Sequence, residues 1–225
     1  ASGLATSCAT NTVGSWSFWI NTPNILNSER NLLSFGDVNA NVYLRIFISS
    51  SGQVKASIRD LVGFKWVLIE AGTGALSNNN WHHISLVQNG TEPKLYIDGS
   101  LISITFTTST DKTYWNNNLT DIDNFSIGVI RFNNFQIQYF DGKIDKVIIY
   151  NDVLTAGEVT TIYNYGRKAG LIGIGNEVSQ WEMDTLNPID VVGSNNGLSY
   201  FQDSNNIIYE SGNVPNNQGF IIRAQ

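Results

Sequence analysis

The chain has few of the residues on which catalysis, metal binding and covalent cross-linking usually depend. Its 225 residues include one cysteine, Cys8, and two histidines, His82 and His83. A lone cysteine cannot form an internal disulfide, and the small polar residues around Cys8 are typical of an ordinary terminal thiol. The histidines are neighbours in a predicted strand, so they point to opposite faces and cannot share one metal ion.

Charge is also scarce, which argues against two classes of partner. Charged residues make up 14% of the chain, and its 13 basic residues are scattered within a net charge of −6. A nucleic-acid groove needs clustered Lys and Arg, so no nucleic-acid partner is expected. No apolar run is long enough to cross a bilayer, so membrane insertion is not expected either. The chain starts at Ala1 and its one methionine is Met183, as expected for a piece processed or excised from a longer protein.

Turn-forming residues and short alternating segments are abundant instead. Asn is roughly one residue in eight, and both Asn and Gly favour turns, although an AT-rich genome would also enrich Asn. Alternation of apolar and polar residues predicts strands near 16–20, 42–48, 54–59, 64–70, 81–88, 94–98, 101–106, 125–130 and 144–150. The spacing predicts an all-β fold, a two-sheet antiparallel jelly-roll sandwich. We expect the following residues in or beside its core: Trp16, Phe18, Trp81, Ile97 and Ile148.

One short helix is predicted near residues 155–165. Thr155 and Glu158 have the spacing of a capping box, in which each side chain bonds the other residue's backbone N–H. Val159 and Ile162 then fall on one helical stripe, and Gly166 is placed to end the helix.

A tail with further strand signals follows the helix. Glycines interrupt 168–177, which predicts a linker or a thin edge strand. Weaker strand signals follow at 198–201, 207–209 and 220–222. The fold prediction therefore includes an additional β-containing C-terminal tail.

Four motifs in order resemble the laminin-G-like jelly rolls of the concanavalin A-like lectin/glucanase superfamily. They are GSWSFWI, LLSFGD, NNNWHHISLV with KLYIDGSLI, and FDGKIDKVIIYNDVLTAGEVTTIYNYG. The resemblance implies a laminin-G-like domain over residues 12–167.

The chain departs from the family's pattern at its two ends. Members usually open with a segment rich in Trp, Asp and Gly, but here a similar segment, QWEMDTLNPIDVVGSNNG, lies near the end. Residues 168–225 are therefore expected either to complete the edge of the sandwich or to start a following repeat.

Glycan-active enzymes share this fold, so catalysis has to be considered. The retaining hydrolases of the superfamily carry paired carboxylates in an E-x-D-x-x-E motif, which this sequence lacks. The lyases combine His, Tyr and Arg on one face of a sheet. His82 and His83 are neighbours that point to opposite faces, so they cannot act together in such a site. A non-catalytic role is therefore predicted.

The resemblance also implies a calcium ion, because related modules often hold one. Candidate ligands are Asp37, Asp141 and Asp145, each in a predicted turn or at a strand end. The alternative is that these carboxylates cap turns.

Two aromatic loops are the candidate ligand-binding segments. Their residues are Tyr114, Trp115 and Asn116 in one loop, and Arg131, Phe132 and Asn133 in the other. Sugars stack on aromatic rings while Asn and Arg bond their hydroxyls. The alternative is that the rings pack beneath their own loops.

The predicted function is carbohydrate recognition or adhesion, by a protein on an extracellular or virion surface that binds a polysaccharide or other glycan. The alternative is a structural component of a phage or virus particle, which would pack against neighbouring protein subunits.

Overall fold

Two antiparallel sheets pack face to face in the computed structural model, which describes residues 3–26, 28–72, 74–168, 173–183, 188–196, 198–200 and 219–222. In chain order the strands of these ranges are β1 (Gly14–Asn21), β2 (Arg30–Gly36), β3 (Tyr43–Ile48), β4 (Val54–Arg59), β5 (Phe64–Glu70), β6 (His82–Gln88), β7 (Pro93–Ile97), β8 (Ser100–Leu101), β9 (Ile104–Ser109), β10 (Asn124–Ile127), β11 (Ile130–Phe132), β12 (Phe135–Ile137), β13 (Lys143–Tyr150), β14 (Glu177–Trp181), β15 (Leu198–Tyr200) and β16 (Gly219–Ile222). The helices are α1 (Gly3–Cys8) and α2 (Ala156–Tyr165), with a 3-10 turn at Asn116–Asn118.

The strand order confirms the predicted fold class. The six-stranded sheet runs β14-β13-β1-β6-β7-β8, and the eight-stranded sheet runs β15-β16-β10-β2-β3-β4-β5-β9. Strands β11 and β12 form a separate hairpin. The chain crosses between the two sheets after β1, β5 and β8, between β10 and β13, and between β14 and β15, as in a jelly-roll sandwich.

Alternation along the strands divides each sheet into an inner and an outer face. In β3, Leu44, Ile46 and Ile48 are fully buried in the core, so Tyr43 and Arg45 project from the outer face. Most of the predicted core residues lie where they were expected. Trp16, Phe18 and Ile97 belong to the main core, and Ile148 lies in a second cluster beneath α2.

The prediction for Trp81 is wrong. This residue precedes β6 and is only partly buried, with the guanidinium of Arg167 lying 4.3 Å from the centre of its ring. A ring that is covered by a cation remains at the surface because the charged group keeps contact with water.

Two predicted strands are each divided in the structure. The segment 101–106 becomes β8 and β9, which belong to different sheets because the chain crosses between them at Ile102 and Ser103. The segment 125–130 becomes β10 and β11, since Gly128 has φ of 73° and turns the chain away from the sheet.

The helix signals are confirmed in detail. The Thr155 hydroxyl accepts the Glu158 N–H at 3.2 Å, and the Glu158 carboxylate accepts the Thr155 N–H at 2.7 Å. Val159 and Ile162 are buried, and Gly166 follows the helix with φ of 76°.

Strands from the tail extend both sheets. Strand β14 pairs with β13 at the edge of the six-stranded sheet, while β16 pairs with β10 and carries β15 beyond it. Trp181 of β14 is fully buried and its ring stacks on Phe125 at 5.5 Å. The predicted strand at 207–209 lies outside the described residues, and the division at residue 168 stays a prediction.

The N-terminal helix α1 was not predicted. Leu4 and Cys8 are buried in the main core, and burial raises the pKa of the Cys8 thiol to about 12. The expectation of an ordinary terminal thiol is therefore wrong, because the small residues around Cys8 form a helix that packs inward. In the described part of the chain, no helix has the length and apolar character needed to span a membrane.

Candidate functional site

The outer face of the eight-stranded sheet is partly covered by the β11–β12 hairpin. The Val129 carbonyl, just before β11, accepts hydrogen bonds from the side chains of Asn31 at 2.8 Å and Ser34 at 3.2 Å. The Asn31 N–H bonds the Gln138 carbonyl, just after β12, at 2.8 Å. These bonds hold the hairpin over β2 and place its side chains beside those of β3.

Four aromatic rings form a continuous line across this face. The ring centres are separated by 6.3 Å between Phe64 and Tyr43, 4.8 Å between Tyr43 and Phe132, and 6.2 Å between Phe132 and Phe135. We call these four residues the aromatic row. Phe64 and Phe132 are partly exposed, and Phe135 is 55% exposed at the end of the row. The exposed parts of Phe64, Phe132 and Phe135 offer apolar ring surface to a ligand, while Tyr43 is buried between Phe64 and Phe132.

Two guanidinium groups border the aromatic row. Arg59 pairs with Tyr43 across β3 and β4, and its guanidinium carbon lies 5.1 Å from the centre of the Phe64 ring. Arg45 lies 3.8 Å from the centre of the Phe47 ring and 5.6 Å from that of Tyr43. Planar guanidinium groups that stack on aromatic rings are held in one orientation.

Burial and charge shift the ionisation of the groups around the row. Burial lowers the pKa of Arg45, while Tyr43 and the Glu29 carboxylate, 3.6 Å away, act to raise it. Burial also raises the pKa of Tyr43, against the opposing effect of the Arg45 and Arg59 charges. Tyr43 therefore stays a neutral phenol at physiological pH, with a ring that can pack and a hydroxyl that can hydrogen-bond.

An ion pair lies at one end of the face. The ammonium group of Lys65, in β5, is 3.0 Å from the carboxylate of Asp60, which lies in the turn between β4 and β5. Although burial would raise the pKa of Asp60, its bonds to Lys65 and to the N–H groups of Gly63 and Val62 lower it. The same hydrogen bond raises the pKa of Lys65. Both groups therefore stay charged at neutral pH.

The second predicted loop contributes directly to this face. Phe132 is part of the aromatic row, and Arg131 precedes it in β11, where it is partly buried. Asn133 is exposed in the hairpin turn with φ of 45°, and its N–H bonds the carbonyls of Asp37 and Ala40.

The first predicted loop points mostly inward. Trp115 is 1% exposed and packs in the core, with its ring centre 5.7 Å from that of Trp16. Asn116 is also buried. Trp115 is therefore not accessible to a ligand, and its ring and that of Phe132 lie on opposite sides of the eight-stranded sheet. Tyr114 is partly buried beside Lys65, and its hydroxyl lies 3.3 Å from Asp60.

The predicted calcium ligands each have other partners. The Asp37 carboxylate accepts the Asn39 N–H at 2.7 Å, and Asp145 forms an ion pair with Arg167 at 2.5 Å. Asp141 accepts the Thr22 hydroxyl through its backbone carbonyl at 2.6 Å. Among the described residues, no three His, Cys, Asp or Glu side chains form a group that could hold a metal. The contacts of Asp37 and Asp145 favour turn capping and ion pairing, and the calcium site stays a prediction.

Most of the aromatic row, and both guanidinium groups that border it, were not among the residues predicted from the sequence. Tyr43, Arg45, Arg59 and Phe64 occupy outward positions of three predicted strands. The available signal was the residue type at those positions, since an ordinary solvent-facing side of a sheet is rich in small polar residues rather than in Tyr, Phe and Arg.

The family model of the concanavalin A-like lectin/glucanases superfamily, Laminin_G_3, matches residues 4–160. The chain therefore belongs to this superfamily, as its motifs indicated. No curated protein sequence matches the chain.

Solved structures of low sequence identity share the fold. The CBM40 module of the Ruminococcus gnavus IT-sialidase, bound to α2,3-sialyllactose, has a TM-score of 0.61 at 23% identity, over 72% of this chain and 87% of that one. A leech intramolecular trans-sialidase has a TM-score of 0.59 at 18% identity, over 76% of this chain but 25% of the enzyme. A SAP-like pentraxin from Limulus polyphemus has a TM-score of 0.51 at 12% identity, over 96% of this chain and 84% of that one.

Proposed function

We propose that this chain is a non-catalytic carbohydrate-binding module and that the aromatic row is its glycan site. The observation that carries the proposal is the continuous line of four rings bordered by two stacked guanidinium groups. Sugars are recognised by this combination, because their C–H faces stack on rings while their hydroxyls bond polar groups nearby. A glycan ligand suits a protein displayed on an extracellular or virion surface.

The carboxylates beside the row support a binding role rather than catalysis. A retaining glycosidase needs two carboxylates about 5 Å apart, one of which must be protonated. Here Asp60 is bonded to Lys65 with a lowered pKa, and Glu29 faces Arg45. Each of these carboxylates therefore pairs with a different cation, Asp60 with Lys65 and Glu29 with Arg45.

Two exposed aromatic residues provide a matched test. Phe135 ends the aromatic row and is 55% exposed, while Tyr165 of α2 is 59% exposed on the other side of the sandwich. On a glycan array, Phe135→Ala should weaken binding of the captured glycan roughly 3- to 10-fold, because one stacking contact is lost. Tyr165→Ala should bind as the wild type does. Equal losses in the two variants, or no loss in Phe135→Ala, would place the site elsewhere.

Assembly with neighbouring subunits is the second candidate, favoured by the exposed Phe135 and Ile137 of the hairpin. Solution mass distinguishes the two functions. A monomer that is retained by a glycan supports the binding module. An oligomer that ignores glycans and that Phe135→Ala dissociates supports assembly instead.

A further inference from the structure

The outer face of strands β3, β4 and β5 is positively charged in a chain whose net charge is −6. Its outward cations are Arg45, Lys55, Arg59 and Lys65. The one acidic residue of these strands is Glu70, which is buried and accepts the Val54 N–H at 3.0 Å. The cations are therefore concentrated on the face that carries the aromatic row.

Arg59 differs from the other arginines that the structure describes. Arg30 bonds the Leu26 carbonyl, Arg45 faces Glu29, and Arg167 pairs with Asp145. Arg131 also has an interaction partner. Arg59 stacks on Phe64, yet within the described ranges its side chain forms no ion pair or hydrogen bond, and its Nε is both buried and without an acceptor. A guanidinium held by a ring and lacking an anion suits an anionic ligand, since unsatisfied charged donors are costly.

Lys55 supplies a second cation of the same kind. It lies four residues before Arg59 on the same side of β4, about 13 Å away at the usual rise per residue. No ion pair of Lys55 is found in the described part of the chain, whereas Lys65 is paired with Asp60. Among the described residues, the face therefore offers two cations without a carboxylate partner. Arg45 lies between them, with its Nε 3.3 Å from the Ser57 hydroxyl.

We propose, on the basis of the glycan-binding function above, that the ligand is an acidic sugar whose carboxylate is bound by Arg59. A carboxylate accepts two parallel N–H bonds from one guanidinium, which fixes its plane. The pyranose ring would then lie against the neighbouring Phe64 and Phe132, and Lys55 would meet a second acidic group further along the glycan.

Paired ligands that differ in one carboxylate test this inference. Sialyllactose is compared with lactose, and oligogalacturonate with its methyl ester, by titration calorimetry. The wild type should prefer the acidic member of at least one pair by 10-fold or more, and the preference should shrink when salt is raised from 50 to 500 mM. The pair that shows the preference identifies a terminal sialic acid or a uronic acid chain as the source of the carboxylate.

Three variants assign that preference to Arg59. Arg59→Gln should lower affinity for the acidic ligand roughly 10- to 100-fold, the usual value of a charge-assisted bond. Arg59→Lys should give an intermediate loss, because the charge remains but the two-pronged geometry is lost. Lys168→Gln removes an exposed charge beyond α2 and should change nothing. Thermal melts of all three confirm folding.

The outcomes separate this inference from the function on which it rests. If neutral and acidic partners bind equally, or if Arg59→Gln keeps the preference, the carboxylate assignment is wrong while glycan binding stands. If neither neutral nor acidic glycans bind, both the carboxylate assignment and the proposed glycan-binding function are wrong.

Discussion

The two outer faces of the sandwich are built from similar strands but differ in what covers them. On the six-stranded sheet, Val159 and Ile162 of α2 pack on Val87, Tyr96 and Ile148 in a closed apolar cluster. On the eight-stranded sheet, the corresponding face carries cations and the aromatic row, and a hairpin covers only part of it. A covered face contributes stability, whereas an open one with stacked rings and cations is available to a ligand.

Polar groups are present on both faces, but their surroundings differ. Beneath α2, the Ser17 hydroxyl lies 2.8 Å from Nε2 of His83, which is fully buried, and the Trp19 ring stacks on Tyr163 at 5.6 Å. On the open face, the guanidinium groups of Arg45 and Arg59 lie against the rings of Phe47 and Phe64. Substitutions should therefore affect mainly stability on the first face and mainly binding on the second.

Removing the tail should have the largest effect, because its strands extend both sheets. Truncation after Lys168 deletes β14, whose Trp181 stacks on Phe125, and β16, which pairs with β10. We expect a loss of at least about 3 to 5 kcal/mol, the cost of emptying one large buried ring, together with aggregation through exposed sheet edges. Denaturant unfolding and light scattering measure both.

The point variant Trp181→Ala is the control for the truncation, since it removes the ring and keeps the strands. It should lose stability without aggregating. A truncated chain that is monomeric and melts at the wild-type temperature would show instead that residues 168–225 begin a separate repeat.

Two tryptophans give the next largest difference. Trp115→Ala should cost about 3 to 5 kcal/mol because the ring is buried against Trp16. Trp81→Ala should cost only about 1 kcal/mol, since that ring is partly exposed and mainly loses its contact with Arg167. Urea unfolding of both variants measures the difference, and equal losses would contradict the burial assigned to these rings.

Features set by neighbouring residues could be predicted from the sequence, whereas those set by contacts between distant segments could not. Alternation placed Phe18 and Ile97 correctly, and capping spacing placed α2, because these signals act over a few neighbouring residues. The direction of Trp115 depends on how its loop meets Trp16 of a distant strand, which no local pattern encodes. The aromatic row has the same difficulty, since Tyr43 and Phe132 are brought together only by the packing of the hairpin.

The buried His83 should make stability depend on pH. Burial lowers its pKa to about 4, from an ordinary value of about 6.5, despite the opposing charge of Asp98. Below pH 6.5 the unfolded chain binds a proton that the folded chain does not, so stability falls as pH drops from about 6.5 to about 4. The loss should reach about 3 kcal/mol.

Urea unfolding at several pH values measures this contribution as the difference between the wild type and His83→Gln. Carboxylates contribute to both proteins and cancel in that difference. A variant with the same dependence on pH as the wild type would show that His83 is not the titrating group.

The smallest expected effect tests whether α2 serves only as a cover. Thr155→Ala removes the hydroxyl that accepts the Glu158 N–H and should cost about 1 kcal/mol. Thr161→Ala, at an exposed position inside the same helix, is the matched control and should be nearly neutral, since alanine favours helix. Thermal melting should separate the two variants, while the affinity for any captured glycan should equal that of the wild type in both, because the aromatic row is on the opposite side of the sandwich. Weaker glycan binding by Thr155→Ala in a fully folded sample would mean that the covered face also contacts the ligand, and the division between a closed and an open face would then fail.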